Sequence, residues 1–168
     1  LLQEHLLARL HELPQSKFVF RQAADALAKH PEGGSRRIVR QRVANLGHAG
    51  EADAGAELLF AYVERSWQRA REPKATLAEL DGLKGKLTEK NEAYRQFWRA
   101  EALRMIGRLE EAARAVTRAR SGFERLGDRL YEARTWRLEG HVRSEQGHTQ
   151  DGLALARKAR EVSQELGD

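Results

Sequence analysis

The sequence predicts an all-α fold, a solenoid of antiparallel helix pairs, and three observations predict it. Apolar residues recur at helical spacing almost from end to end. Glycines and prolines break that periodicity into short segments with tight connectors. The C-terminal third repeats itself: a shift of 40 residues lays Gly107 on Gly147, Ala119-Arg120 on Ala159-Arg160, and Leu126-Gly127-Asp128 on Leu166-Gly167-Asp168. One helical hairpin cannot bury its apolar face by itself, whereas a stack of hairpins buries a continuous core and curves into a superhelix with a concave wall.

Composition agrees. Charged residues make up 33% of the 168 positions, and Ala, Leu, Arg and Glu lose little side-chain freedom in a helix. β-branched residues are sparse, and no period-two run is long enough for a sheet. With no cysteine, disulfides and thiolate metal sites are excluded. No apolar stretch approaches the ~20 residues of a bilayer span, so membrane insertion is not expected. Glu4, His5, Arg9 and Glu12 break any signal-peptide pattern in the first residues, and a cytoplasmic location is expected. The chain lacks a starting Met and is read as a piece of a larger protein. Its net charge of +5 raises the prior for acidic partners, nucleic acid included. The acidic and basic residues are interspersed, which is the pattern of a solvated helical surface.

Each element follows from its punctuation. Leu2, Leu6, Leu7 and Leu10 share one face of a first helix, ended by Pro14. Phe18, Phe20, Ala24, Leu27 and Ala28 mark a second, stopped by His30-Pro31-Glu32-Gly33-Gly34. Ser35 is placed to cap a third with Ile38, Val39, Val43 and Leu46 inward, before a turn at Gly47 and Gly50. Ala52 to about Arg71 gives a long fourth helix burying Leu58, Leu59, Tyr62, Val63 and Trp67. After Pro73, Leu77, Leu80, Leu83 and Leu87 keep helical spacing, but Gly82 and Gly85 weaken the segment, leaving it kinked or merged with the next helix. Tyr94, Phe97, Trp98, Ala102 and Met105 define a helix ending at Gly107. Leu109–Leu126, Tyr131–Gln146 and Asp151–Leu166 complete about nine helices. Leu153, Leu155 and Val162 on the last helix either pack on their own hairpin or await a further repeat or partner.

The glycines at 107 and 147, with the small residues Ala100 and Gly140 on one helix and Ala112, Val116, Ala119 and Gly152, Ala156, Ala159 on the next, resemble the tetratricopeptide repeat. The closer likeness is to its variety of about forty residues, found in kinesin light chain and bacterial signalling regulators. Trp136 matches the family's early aromatic, and Gln96 departs from it. The resemblance implies a right-handed α-solenoid over one domain. Residues 1–73 hold degenerate repeats, 74–90 an irregular helical insert, and 91–168 two clearer repeats.

No reactive constellation accompanies the repeats. The six histidines form no H-E-x-x-H helix. Gly82-Leu83-Lys84-Gly85-Lys86 lacks the strand and spacing of a phosphate loop. Gly33-Gly34-Ser35 is better read as a plain helix cap than as an anion site. No catalytic residue, metal or cofactor is expected.

In the resembled family, ligands lie against the first helix of each pair, on the side away from the second. With Ala100 and Gly140 as the close contacts, the resemblance places Tyr94, Phe97, Glu101 and Arg104 on that wall in one repeat and Arg134, Arg137 and His141 in the other. The turn at Gly50 places Arg37 and Arg40 there too. Guanidinium groups bind carboxylates bidentately, so an acidic peptide or carboxylate-bearing protein partner is expected. The plain alternative is that these arginines pair with neighbouring glutamates. The asparagines that clamp a terminal carboxylate in the family are missing at the matching positions. The reading is a non-enzymatic scaffold or sensor region of a signalling or regulatory protein. Two alternatives remain: a nucleic-acid-binding repeat, which would need recurrent base-reading side chains that are not seen, and a homodimer formed through the terminal repeats.

Overall fold

The computed structural model describes residues 35–67 and 72–167. Over them the chain is all-helical, with seven helices and no strand. The two helices expected before Pro31, the turn at residues 30–34, and the expected end of a helix at Arg71 lie outside the described residues. The chain divides into two compact units.

The first unit holds α1 (Ser35–His48), α2 (Ala52–Trp67) and the segment Asp81–Leu87. α1 buries Ile38, Val39 and Leu46, and α2 buries Leu58, Leu59, Tyr62 and Val63, as their periodicity predicts, whereas Val43 and Trp67, expected on the same faces, are only half-buried. The turn between them is a Schellman cap. Gly50 adopts φ +81°, where a side chain would be strained. Its N–H donates to Gly47 O, and the Glu51 N–H donates to Leu46 O at 2.8 Å. Gly55 then crosses α1 closely, since a Cβ there would stand 3.3 Å from Val43 O. Arg36 pairs with Glu72 at 2.6 Å.

The second unit holds α3 (Pro73–Asp81) without its last residue, α4 (Glu89–Met105), α5 (Leu109–Leu126), α6 (Arg129–Glu145) and α7 (Thr149–Leu166). Pro73 does not merely interrupt a helix. It occupies the first helical position of α3, where its missing N–H costs nothing. The leucine run after it neither kinks nor merges. α3 stops at Asp81, with Leu77 and Leu80 buried, and Thr88 starts a new helix.

From Thr88 onward the 40-residue correspondence holds helix for helix: α4 and α6 begin and end at equivalent positions, as do α5 and α7. Thr88 and Asp128 are equivalent N-caps, accepting from the N–H groups of Asn91 and Tyr131 at 3.4 and 3.1 Å. Gly107, Gly127 and Gly147 all have positive φ and repeat the bond pair seen at Gly50. In each, the following residue (Arg108, Asp128 or His148) donates to a carbonyl five residues back. α4 packs on α5, α5 on α6, and α6 on α7, while α4 also touches α6.

Candidate functional site

The surface on which a partner could act is set by how one helix pair receives the next. α6 lies on a face made of two stripes. On α4, Tyr94, Phe97 and Arg104 meet α6 and Glu101 shares their spacing; on α5, Arg120 and Phe123 meet it, and Ala113 and Val116 share theirs. Both run at the three- and four-residue spacing that keeps side chains on one side of a helix.

Aromatic rings seal the upper part. Tyr131 of α6 stands 4.4 Å from the ring of Tyr94, 5.5 Å from Phe97 and 5.1 Å from Phe123, measured between centroids. Val116 and Phe123 are completely buried. Charge pairs fix the lower part. Arg120 donates to Glu139 at 2.5 Å, and Arg104 donates to Glu145 at 2.6 Å and to Glu101 at 3.2 Å. Burial opposes the charge on Arg104, but hydrogen bonds and attraction from Glu145 and Glu101 outweigh it and hold its pKa above the ordinary value.

Each hairpin also closes through its small residues. Ala100 and Ala112 are fully buried. At their equivalents, a Cβ on Gly140 would stand 2.8 Å from Gly152 O. A Cβ on Gly152 would strike the Ser144 Oγ. The close contact expected at Gly140 is therefore where α6 and α7 approach, and Ala100 at the equivalent position is fully buried. Leu155 and Val162 pack inward with Ala133, Trp136 and Ala159, and Lys158 stacks over Trp136 at 3.8 Å. Leu153 does not pack inward and is 46% exposed.

The residues expected to line a groove separate into two groups. Phe97 is buried, and Tyr94 and Arg104 are half-buried; all three face α6 and are engaged by it. Arg37, Arg40, Arg137 and His141 are exposed, and Arg134 is half-buried with its guanidinium 4.8 Å over the Tyr131 ring.

The repeat explains the difference. Arg134, Arg137 and His141 are the 40-residue equivalents of Tyr94, Phe97 and Glu101. They form the same stripe on the last layer, where no described helix covers it. The companion stripe on α7 is Leu153, Ala156, Arg160 and Ser163, of which the first three are exposed. Arg160 is the equivalent of Arg120, a correspondence already visible in the Ala119-Arg120 and Ala159-Arg160 match. What the sequence did not reveal is that Arg120 grips a carboxylate on the next layer.

Among the described residues no group of three metal-type side chains comes together, and no helix is long and apolar enough to cross a membrane. This surface presents guanidinium groups, an imidazole and a short apolar strip. No protein-family model matches the chain, and no curated protein matches it either.

Proposed function

We propose that this chain is a non-enzymatic binding module of tetratricopeptide type, recognising acidic segments of partner proteins as part of a scaffold or sensor. On this reading the pairs α4–α5 and α6–α7 are two repeats of the forty-residue variety, stacked with the family's right-handed twist. The pair α1–α2 is a degenerate repeat of the same kind. The glycine caps at equivalent turns and the small residues at the helix crossings support it.

The observation that carries the choice of partner is the exposed stripe Arg137–His141 beside Arg134, together with exposed Arg160. Within the same unit the equivalent arginine, Arg120, holds a glutamate, so carboxylate is the group this scaffold is built to take. The test is fluorescence anisotropy of labelled glutamate-rich peptides against the 168-residue chain and its Arg134→Glu plus Arg137→Glu variant. Binding that weakens in the variant and with added salt is expected. An affinity the variant leaves unchanged, or no binding even at low salt, would remove the proposal.

A further inference from the structure

We infer that α1 is a second contact surface, separate from the arginines of α6 and α7, and that it binds the phosphate backbone of double-stranded DNA. Charge singles this helix out. Arg36, Arg37, Arg40 and Arg42 stand within its 14 residues, with no aspartate or glutamate among them. Every other described helix carries at least two acidic residues. Arg36 and Arg37 fall in the first turn, where the positive end of the helix dipole repels cations. The stability of the helix alone therefore does not ask for them.

The arginines divide by role. The Arg36 side chain is 15% exposed and grips Glu72 at 2.6 Å, and Arg42 is half-buried. Arg37 and Arg40 are exposed. With Gln41, Ala44 and His48, which are exposed as well, they occupy one side of α1 at spacings of three and four residues. Ile38, Val39 and Leu46 are buried on the other side. From Arg37 to His48 the exposed side runs about 16 Å.

The make-up of that side selects the occupant. It bears guanidinium groups, an amide and an imidazole, which are donors to phosphate oxygens. It carries no large apolar residue, so a protein partner would lack the anchor that supplies most of the energy at such interfaces. It carries no aromatic ring on which the bases of a single strand could stack. The major groove of B-form DNA is about 12 Å wide and admits an α-helix, whereas that of an RNA duplex is too deep and narrow. Backbone binding of this kind is electrostatic and needs no base-reading side chain repeated from one helix pair to the next.

The experiment is fluorescence anisotropy of a labelled mixed-sequence DNA duplex of about 20 base pairs on the full chain, at about 50 to 200 mM salt. Log Kd is expected to rise linearly with log salt. Arg37→Ala should lower that slope by about 1 and raise Kd about tenfold at the low-salt end, and Arg37→Ala plus Arg40→Ala should lower the slope by about 2. Arg37→Lys, which keeps the charge, should keep the slope. Arg114→Ala plus Arg118→Ala removes two exposed arginines from α5 and should leave slope and Kd unchanged, which separates a local contact from net charge. Circular dichroism verifies that each variant is folded. No duplex binding at low salt, or equal slopes in the parent and Arg37→Ala, would overturn the inference. So would a glutamate-rich peptide whose binding, unlike that of the duplex, depends on Arg37 and Arg40, since α1 would then be a peptide seat. The acidic-segment reading of Arg134 and Arg137 is tested with other residues and another probe, so either can fail alone.

Discussion

Arg120 of α5 grips the Glu139 carboxylate of α6 at 2.5 Å, and Glu139 is only 7% exposed. A buried carboxylate is tolerated because a guanidinium meets it, so removing the guanidinium costs more than the pair contributes. Arg120→Ala should lower the unfolding free energy by about 1–3 kcal/mol, the range for stranding a buried polar group, held down because water still reaches Arg120. Arg120→Leu with Glu139→Leu should cost less than Arg120→Ala. Urea denaturation of the three variants measures this, and a double variant weaker than the single would contradict the account.

Gly122 and Ala93 cross so closely that a Cβ on Gly122 would lie 2.7 Å from the Ala93 Cβ. In an open helix Gly→Ala stabilises by about 1 kcal/mol. Here the methyl forces α4 and α5 apart, and overpacking a tight contact costs about 1–3 kcal/mol. Gly122→Ala is therefore expected to lower the melting temperature. Moving the methyl across the contact, with Ala93→Gly added, should recover part of the loss. Equal melting temperatures for Gly122→Ala and the parent would show that the crossing relaxes freely.

The helices of this fold were largely legible because periodicity and punctuation act locally. Phe97, Trp98, Val116 and Phe123 sit on buried faces that helical spacing picks out, and Gly107 and Gly147 stop helices where positive φ requires them. The repeat was legible only in part. Thr88 and Asp128 are chemically different caps that do the same work, so an identity search slides past them and the register is lost before Asn91. The candidate site was least legible. Choosing the wall from the small residues put Tyr94, Phe97 and Arg104 on a ligand-facing stripe of α4. It did not reveal that the next layer lies on that stripe and consumes Tyr94, Phe97 and Arg104. That outcome depends on contacts between residues about 40 positions apart, which no local pattern encodes.

Glu89 pairs with Arg125 at 2.5 Å, and Arg129 pairs with Glu165 at 3.1 Å. The positions are equivalent and the charges reversed, so each hairpin ties the start of one helix to the end of the other with opposite polarity. All four side chains are more than half exposed. Exposed pairs contribute about 0.2–1 kcal/mol, so each is worth little. Their polarity should be exchangeable: Glu89→Arg with Arg125→Glu is expected to fold with stability within about 0.5 kcal/mol of the parent. Each single reversal should be worse than the double. A double-mutant cycle by urea denaturation measures the coupling, and a double variant less stable than either single would show that polarity at this hairpin is fixed by something else.

Arg108 forks onto Glu111, with Nε donating to Oε1 and Nη2 to Oε2, both at 2.6 Å. The hydrogen bonds from Arg108, reinforced by its charge and by Arg114 and Arg99, hold the Glu111 carboxyl below its ordinary pKa against the weaker effect of desolvation. A carboxyl whose folded pKa is depressed binds its proton less readily folded than unfolded. The stability it contributes is present above the unfolded value and is lost as pH falls through the folded one. Carbon-detected NMR titration should place the Glu111 midpoint below the ordinary glutamate value. Arg108→Ala should move it upward, toward the ordinary glutamate value, because the fork that favours the charged form is gone. His148 and Asp151 stand at the equivalent positions of the second hairpin, with no forked guanidinium between them. A Glu111 midpoint indifferent to Arg108→Ala would mean that the fork does not persist in solution, and the first turn of α5 would then be held by the Gly107 cap without it.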